Sequence, residues 1–162
     1  MNDNKNTIVM ENVRIVFRNF AGEEGQYNSA GDRNFAVILP EDLAQALVED
    51  GWNVKYLKPR DEDEIPTPYL QVSVGYKNWP PKVVMITSRG RTSLSENEVE
   101  ILDWADIKSC DLIVRPYTWT VNGKSGIKAY LKSLFAIIEE DELELKYADI
   151  EEINPFGDPD NV

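Results

Sequence analysis

Histidine is absent from the 162 residues, and cysteine occurs once, at Cys110. Without histidine no Ser-His or Cys-His nucleophile pair can be assembled, and no histidine-based zinc site can form. One cysteine closes no internal disulfide, so a reducing cytoplasm is the expected location. No apolar run approaches the roughly 20 residues of a membrane-spanning helix, and the polar residues 1–6 lack the apolar centre of a signal peptide, so no membrane association is expected. Metal chemistry would have to rest on carboxylates alone, which favours magnesium, calcium or manganese. No resident cofactor or metal is expected.

Acid is missing from two long stretches. Residues 65–95 hold Lys77, Lys82, Arg89 and Arg91 with no Asp or Glu, and residues 112–138 hold Arg115, Lys124, Lys128 and Lys132 with none. Residues 139–162 carry ten acids against one base, Lys146, so nine of the twelve net negative charges sit there and three on residues 1–138. The sequence pI of about 4.4 therefore describes mainly the tail. It does not argue against a polyanion bound elsewhere.

The length suits one well-buried core, and we divide the chain into a domain over 1–138 and an acidic tail over 139–162. A long first strand is expected over 8–20, with Val13, Ile15 and Phe17 on its apolar phase. A glycine-rich loop follows over 21–31, and a second strand runs over 33–39. Pro40, Glu41 and Asp42 open a helix that places Leu43 and Leu47 one turn apart and ends at Gly51. Further strands are expected over 52–58, 69–76 and 82–87, with Asp61-Glu62-Asp63-Glu64 as an exposed loop. Ser95 and Glu98 suit a capping box. Strands over 111–121 and 127–138 flank Asn122-Gly123, a strong hairpin signal. Six or seven strands about one short helix make a mainly β chain, a small, closed or partly open antiparallel barrel, with a tail whose last ten or so residues have the composition of disorder.

Single-stranded nucleic acid is held by cations along its phosphates and by aromatic faces on which bases stack. The chain interleaves the two. Arg14 and Arg18 flank Phe17, and Arg33 precedes Phe35. Lys55, Tyr56 and Lys58 alternate along one segment, while Tyr76, Lys77, Trp79 and Lys82 share another. Arg115, Tyr117 and Trp119 lead into the hairpin bearing Lys124 and Lys128, and Arg89 and Arg91 lie in a basic loop expected to be mobile. Competing roles are plain. Phe17 and Phe35 belong to the apolar phase and are assigned to the core, Trp104 to the core or a lid, and Cys110 to a buried, unactivated position. Tyr76, Trp79 and Trp119 lie between core and binding. Gly123-Lys124-Ser125 lacks the earlier glycine and the following helix of a P-loop. The acidic run at 61–64 matches no calcium loop.

In order along the chain, Asn12-Val13-Arg14-Ile15-Val16-Phe17-Arg18-Asn19-Phe20, Gly25-Gln26-Tyr27 and residues 34–40 resemble the opening of phage-encoded single-stranded DNA-binding proteins. Residues 106–115 and 126–134 are similar to that family's last two barrel strands. The resemblance covers about two-thirds of the chain. It implies an OB-fold, sequence-independent binding of single-stranded DNA in phage replication or recombination, and an acidic tail that contacts replication or recombination proteins. Asp149, Glu151, Glu152, Phe156, Asp158 and Asp160 are the tail residues for that contact. Such tails often finish on an aromatic, whereas here Gly157 to Val162 follow Phe156. A homo-oligomer is compatible with this reading. One alternative is an OB-like protein-interaction module with no nucleic-acid role. A lower-ranked one is a magnesium nuclease built on Asp103, Asp106 and Asp111.

Overall fold

The computed structural model describes residues 6–156. In chain order they form β1 (Ile8–Val13), β2 (Ile15–Asn19), β3 (Arg33–Ile38), α1 (Glu41–Glu49), β4 (Val54–Leu57), β5 (Thr67–Val74), β6 (Lys82–Thr87), β7 (Gly90–Leu94), a 3-10 helix (Val99–Asp103), β8 (Ile107–Val121), β9 (Lys124–Ile138) and α2 (Glu142–Lys146). The expected first strand is broken in two. Asn12 takes a left-handed φ of 53°, a region asparagine tolerates, and its N–H donates to Asp111 Oδ1 at 2.7 Å. This corner lets one stretch of chain serve two neighbours: β1 pairs with β8, and β2 pairs with β3.

From that corner the sheet closes. β3 pairs antiparallel with β5, β5 runs parallel to β9 through Val72–Ala129 and Ser73–Tyr130, and β9 pairs antiparallel with β8 along its length. The ring of first strand, β3, β5, β9, β8 and back is a five-stranded, Greek-key OB arrangement. β4 adds to β5, and the β6–β7 hairpin adds to β9 with β6 parallel to it. Inward-facing Phe35, Val37, Leu70, Val72, Val114, Leu131 and Leu134 fill the interior, and the Phe20 ring stacks on Phe35 at 5.2 Å. α1 buries Ala44 and Leu47 beside Trp52.

The outcome differs from the sequence reading elsewhere as well. The described residues hold nine strands, not six or seven, and the sheet is mixed rather than antiparallel. Gly90 and Arg91, expected in a mobile basic loop, open strand β7 (Gly90–Leu94), because the Ser88-Arg89 turn folds the chain back on β6. The start of the tail holds the short helix α2, capped by Asp141 Oδ1, which accepts from Leu143 N at 2.8 Å. Phe17 is not core. It takes a φ of 51° within an irregular stretch of β2–β3 pairing, and this reverses the inside–outside phase and leaves the residue 62% exposed. Of the capping box expected at Ser95 one half forms: the Ser95 N–H donates to Glu98 Oε1 at 2.9 Å and holds that carboxyl below its usual pKa, while the Glu98 N–H donates to the Ser95 backbone carbonyl and the 3-10 helix has no side-chain cap.

Candidate nucleic-acid interface

Directly opposed residues in a sheet share a face, so register places side chains. Asn34 faces Ser73, Ser73 faces Tyr130, and Tyr130 faces Arg115, giving one row across β3, β5, β9 and β8 on the outer surface. Beside it Lys128 opposes Tyr117, and Gly126 opposes Trp119. On the other flank Tyr69 lies between Ile38 and Lys55.

Rings and cations meet along this surface. The Tyr117 and Tyr130 rings pack edge to face at 5.9 Å, and Lys128 Nζ lies 5.1 Å from the Tyr130 centroid. Arg115 holds Trp79 from below: its guanidinium sits 5.7 Å from the indole centroid and donates to the Trp79 carbonyl at 3.2 Å. Trp79 is 70% exposed, so one face of its indole is left to solvent. Trp119, 38% exposed, lies across Gly126, where a Cβ would fall 2.8 Å from its ring. At the far flank Phe17 packs edge to face on Tyr69 at 5.9 Å. Exposed rings on a polar surface are the geometry that stacks unpaired bases and has nothing to grip in an intact duplex.

The charge is uncompensated. Among the described residues the one ion pair is Arg33–Glu96, at 3.2 Å. Lys55, Lys77, Arg115, Lys124, Lys128 and Lys132 therefore have no carboxylate of the described residues within ion-pair distance, although the molecule carries −12. Burial lowers the pKa of Arg115 from its ordinary value, and Tyr130 opposes that effect.

The structure separates the remaining expected site residues. Arg18 donates to the carbonyls of Leu102 and Ala105, both at 2.7 Å, and so ties β2 to the 3-10 helix. Arg33 donates to Phe20 O at 3.0 Å and lies over the Tyr76 ring. Tyr76 is half-buried, its hydroxyl has no hydrogen-bond partner, and burial raises its pKa against the opposing effect of Arg33. Tyr56 points to the face opposite Lys55, and Lys58 lies past the end of β4. Lys82 caps the Phe135 ring at 5.7 Å further along β9. Arg89 and Arg91 occupy the β6–β7 hairpin, where Arg89 lines a cleft of about 390 Å³ with the tail residues Glu144, Tyr147, Glu151 and Glu152. Arg14 is exposed beside β8.

Of the tail residues, Asp149, Glu151, Glu152 and Phe156 are exposed, and Asp158 and Asp160 lie outside the described residues. Glu140 anchors the tail's root by accepting from Ser88 N at 2.5 Å and Ser88 Oγ at 2.8 Å.

Sequence reasoning missed Tyr69, Tyr130 and Tyr27. Tyr69 and Tyr130 looked like ordinary strand positions, and only cross-strand register brings them to the face. Tyr27 is 92% exposed in the β2–β3 loop between Gly25 and Asn28, which bond each other, and that turn was the available signal. Asn28 ties the loop to the face, since Asn34 Nδ2 donates to Asn28 Oδ1 at 2.8 Å. Trp104, placed in the core or a lid, is 81% exposed at the end of the 3-10 helix. The aspartates of the nuclease alternative do not converge. Asp103 accepts from Phe20 N and Ala21 N, Asp111 accepts from Asn12 N, and no group of three metal-binding side chains occurs among the described residues.

The fold and this surface define an OB-type barrel with a cationic, ring-bearing outer face. The family model described as "Putative phage ssDNA-binding domain" matches residues 2–158, and the chain belongs to that family, one of binding domains rather than enzymes. Among solved structures, the single-stranded DNA-binding protein from bacteriophage Enc34 in a C-terminal truncation is 15% identical, with a TM-score of 0.53, and the match covers 83% of this chain and 87% of that one. The same phage protein in complex with ssDNA is 15% identical, with a TM-score of 0.52, over 83% of this chain and 88% of that one. No curated protein matches the sequence. Among the described residues no helix is long and apolar enough to cross a membrane.

Proposed function

We propose that this chain binds single-stranded DNA without base readout, by stacking bases on Trp79, Tyr117, Trp119 and Tyr130 while Lys55, Arg115, Lys124 and Lys128 neutralise phosphates. The observation that carries this reading is the Asn34–Ser73–Tyr130–Arg115 row, with Trp79 seated on Arg115 and, among the described residues, no acid paired to its cations. Stacking selects unpaired strands, and phosphate contact supplies affinity without sequence preference. The family and the complex formed by the Enc34 protein support the same ligand. The setting we assign is phage replication or recombination inside the host cell.

The chain divides functionally at 138/139. Leu143, Tyr147, Ile150, Ile153 and Phe156 stand exposed among the acids, a composition suited to docking a replication or recombination protein. The same tail can return to the cationic face. Tyr130 to Ile138 spans about 26 Å along β9, and the 16 residues from Tyr147 onward reach roughly 50 Å when extended. The acids would then compete with phosphates for the same lysines, aided by their tether.

Titrating a fluorescent oligo-dT and a duplex of equal length tests the central reading. Tight single-strand binding, weak duplex binding and a loss on Trp79→Ala are expected. No binding of the single strand at low salt would instead favour a protein-interaction barrel.

A further inference from the structure

Beyond Phe17 the outer face opens into a second feature. After the corner at Asn12, β2 departs from β8, so Ile107 to Ser109 pair only with β9, and β2 pairs only with β3. Between these two open strand edges lies a cleft of about 480 Å³, lined by Arg14, Phe17, Arg18, Asp103, Lys108 and Ser109 among others. We infer that this cleft is an additional nucleotide subsite, which takes one splayed nucleotide of a strand already lying on the outer face. The inference rests on the single-strand reading above and extends its path.

Three observations select this occupant. The first is charge. Arg18 is committed to the carbonyls of Leu102 and Ala105, and the Asp103 carboxylate to the N–H groups of Phe20 and Ala21, at 2.7 and 3.0 Å. Arg14 and Lys108 are exposed with no ion-pair partner among the described residues, so the free charge in the cleft is cationic. The second is the ring. Phe17 lines the cleft and also touches Tyr69, so it bridges the outer face and the cleft without a gap. The third is strain. The barrel corner needs one left-handed residue, and Asn12 supplies it. Phe17 takes a second at φ 51°, where a bulky side chain is disfavoured, and the chain that follows it is fixed by Arg18 on the carbonyls of Leu102 and Ala105 and by Asp103 on the Phe20 and Ala21 N–H groups. What that conformation achieves is to turn a ring from the core phase out to solvent. The unpaired backbone donors and acceptors of β2 and β8 supply partners for the base edge, and Arg14 and Lys108 supply them for its phosphate.

The test uses the full-length protein and dT oligonucleotides of increasing length, each with a terminal fluorophore. Wild type is compared with Phe17→Ala and with the double variant Arg14→Glu/Lys108→Glu, whose exposed side chains carry no packing. The shortest oligonucleotides should bind all three proteins equally. At the length where wild-type affinity rises because the strand reaches the cleft, both variants should lose that gain, about tenfold. 5-Iodouracil at the end of the longer strand should crosslink to the peptide containing Phe17. Equal affinities at every length, losses that ignore length, or crosslinks confined to β8 and β9 would overturn the subsite and leave the outer-face reading standing. A wild type that binds no single strand at any length would overturn both. Should Phe17→Ala lower the melting temperature, the double charge variant decides.

Discussion

Trp119 and Arg18, both expected at the binding site, are held in different ways. Trp119 rests on the bare Cα of Gly126, so its ring is placed by the absence of a side chain opposite. Gly126→Val should displace the indole and weaken single-strand binding by roughly 1–3 kcal/mol, the same loss as Trp119→Ala, in a fluorescence titration. Trp79→Ala should cost a similar amount of affinity and leave the melting temperature of the free protein nearly unmoved, because the ring is mostly in solvent. Arg18→Ala should instead cost stability: two part-buried carbonyl acceptors lose their donor, destabilising the fold by roughly 1–3 kcal/mol in urea titration. Cys110 is a third case. Burial pushes its thiol from 9.0 up to about 12, so the folded state holds a proton that the unfolded chain sheds earlier. The resulting stabilisation is full below about pH 9 and is lost as pH rises through 9 to 12. Cys110→Ala should flatten that alkaline decline, and wild-type thiol should resist alkylation until the protein unfolds.

Among the elements, those written in local chemistry were legible. Pro40, Glu41 and Gly51 bound α1, and Asn122-Gly123, at φ 51° and 79°, form the two-residue turn that joins β8 to β9. Both turn positions are left-handed, so Gly123→Val should cost roughly 1–2 kcal/mol of stability, read from thermal melts, and loosen the hairpin that carries Lys124 and Trp119. What depends on distant partners was not legible. The parallel β5–β9 contact sets which rings share the face, and nothing within either strand announces the other. Tyr130 was therefore overlooked although it stands at the centre of the row. Phe17 was misplaced for a related reason: alternation predicts the face of a residue only while the strand stays regular, and its left-handed φ breaks the phase. Arg33 falls on the inner phase opposite Val74, where it pairs with Glu96 and lies over the Tyr76 ring.

For the molecule as a whole, the division of charge is the organising fact: a barrel with a positive face carries a tail holding nine of the twelve net negative charges. Deleting residues 139–162 should tighten single-strand binding if the tail competes for that face; unchanged or weaker binding would contradict competition while leaving partner docking intact. The central claim, that phosphates are neutralised on an outer face of a net-negative protein, is tested most directly by titrating fluorescent oligo-dT with the full chain over a range of salt concentrations. The account predicts that log Kobs falls linearly with log[salt], with a slope of about −0.7 for each phosphate neutralised and several phosphates engaged. An affinity that stays level from low to high salt would contradict it.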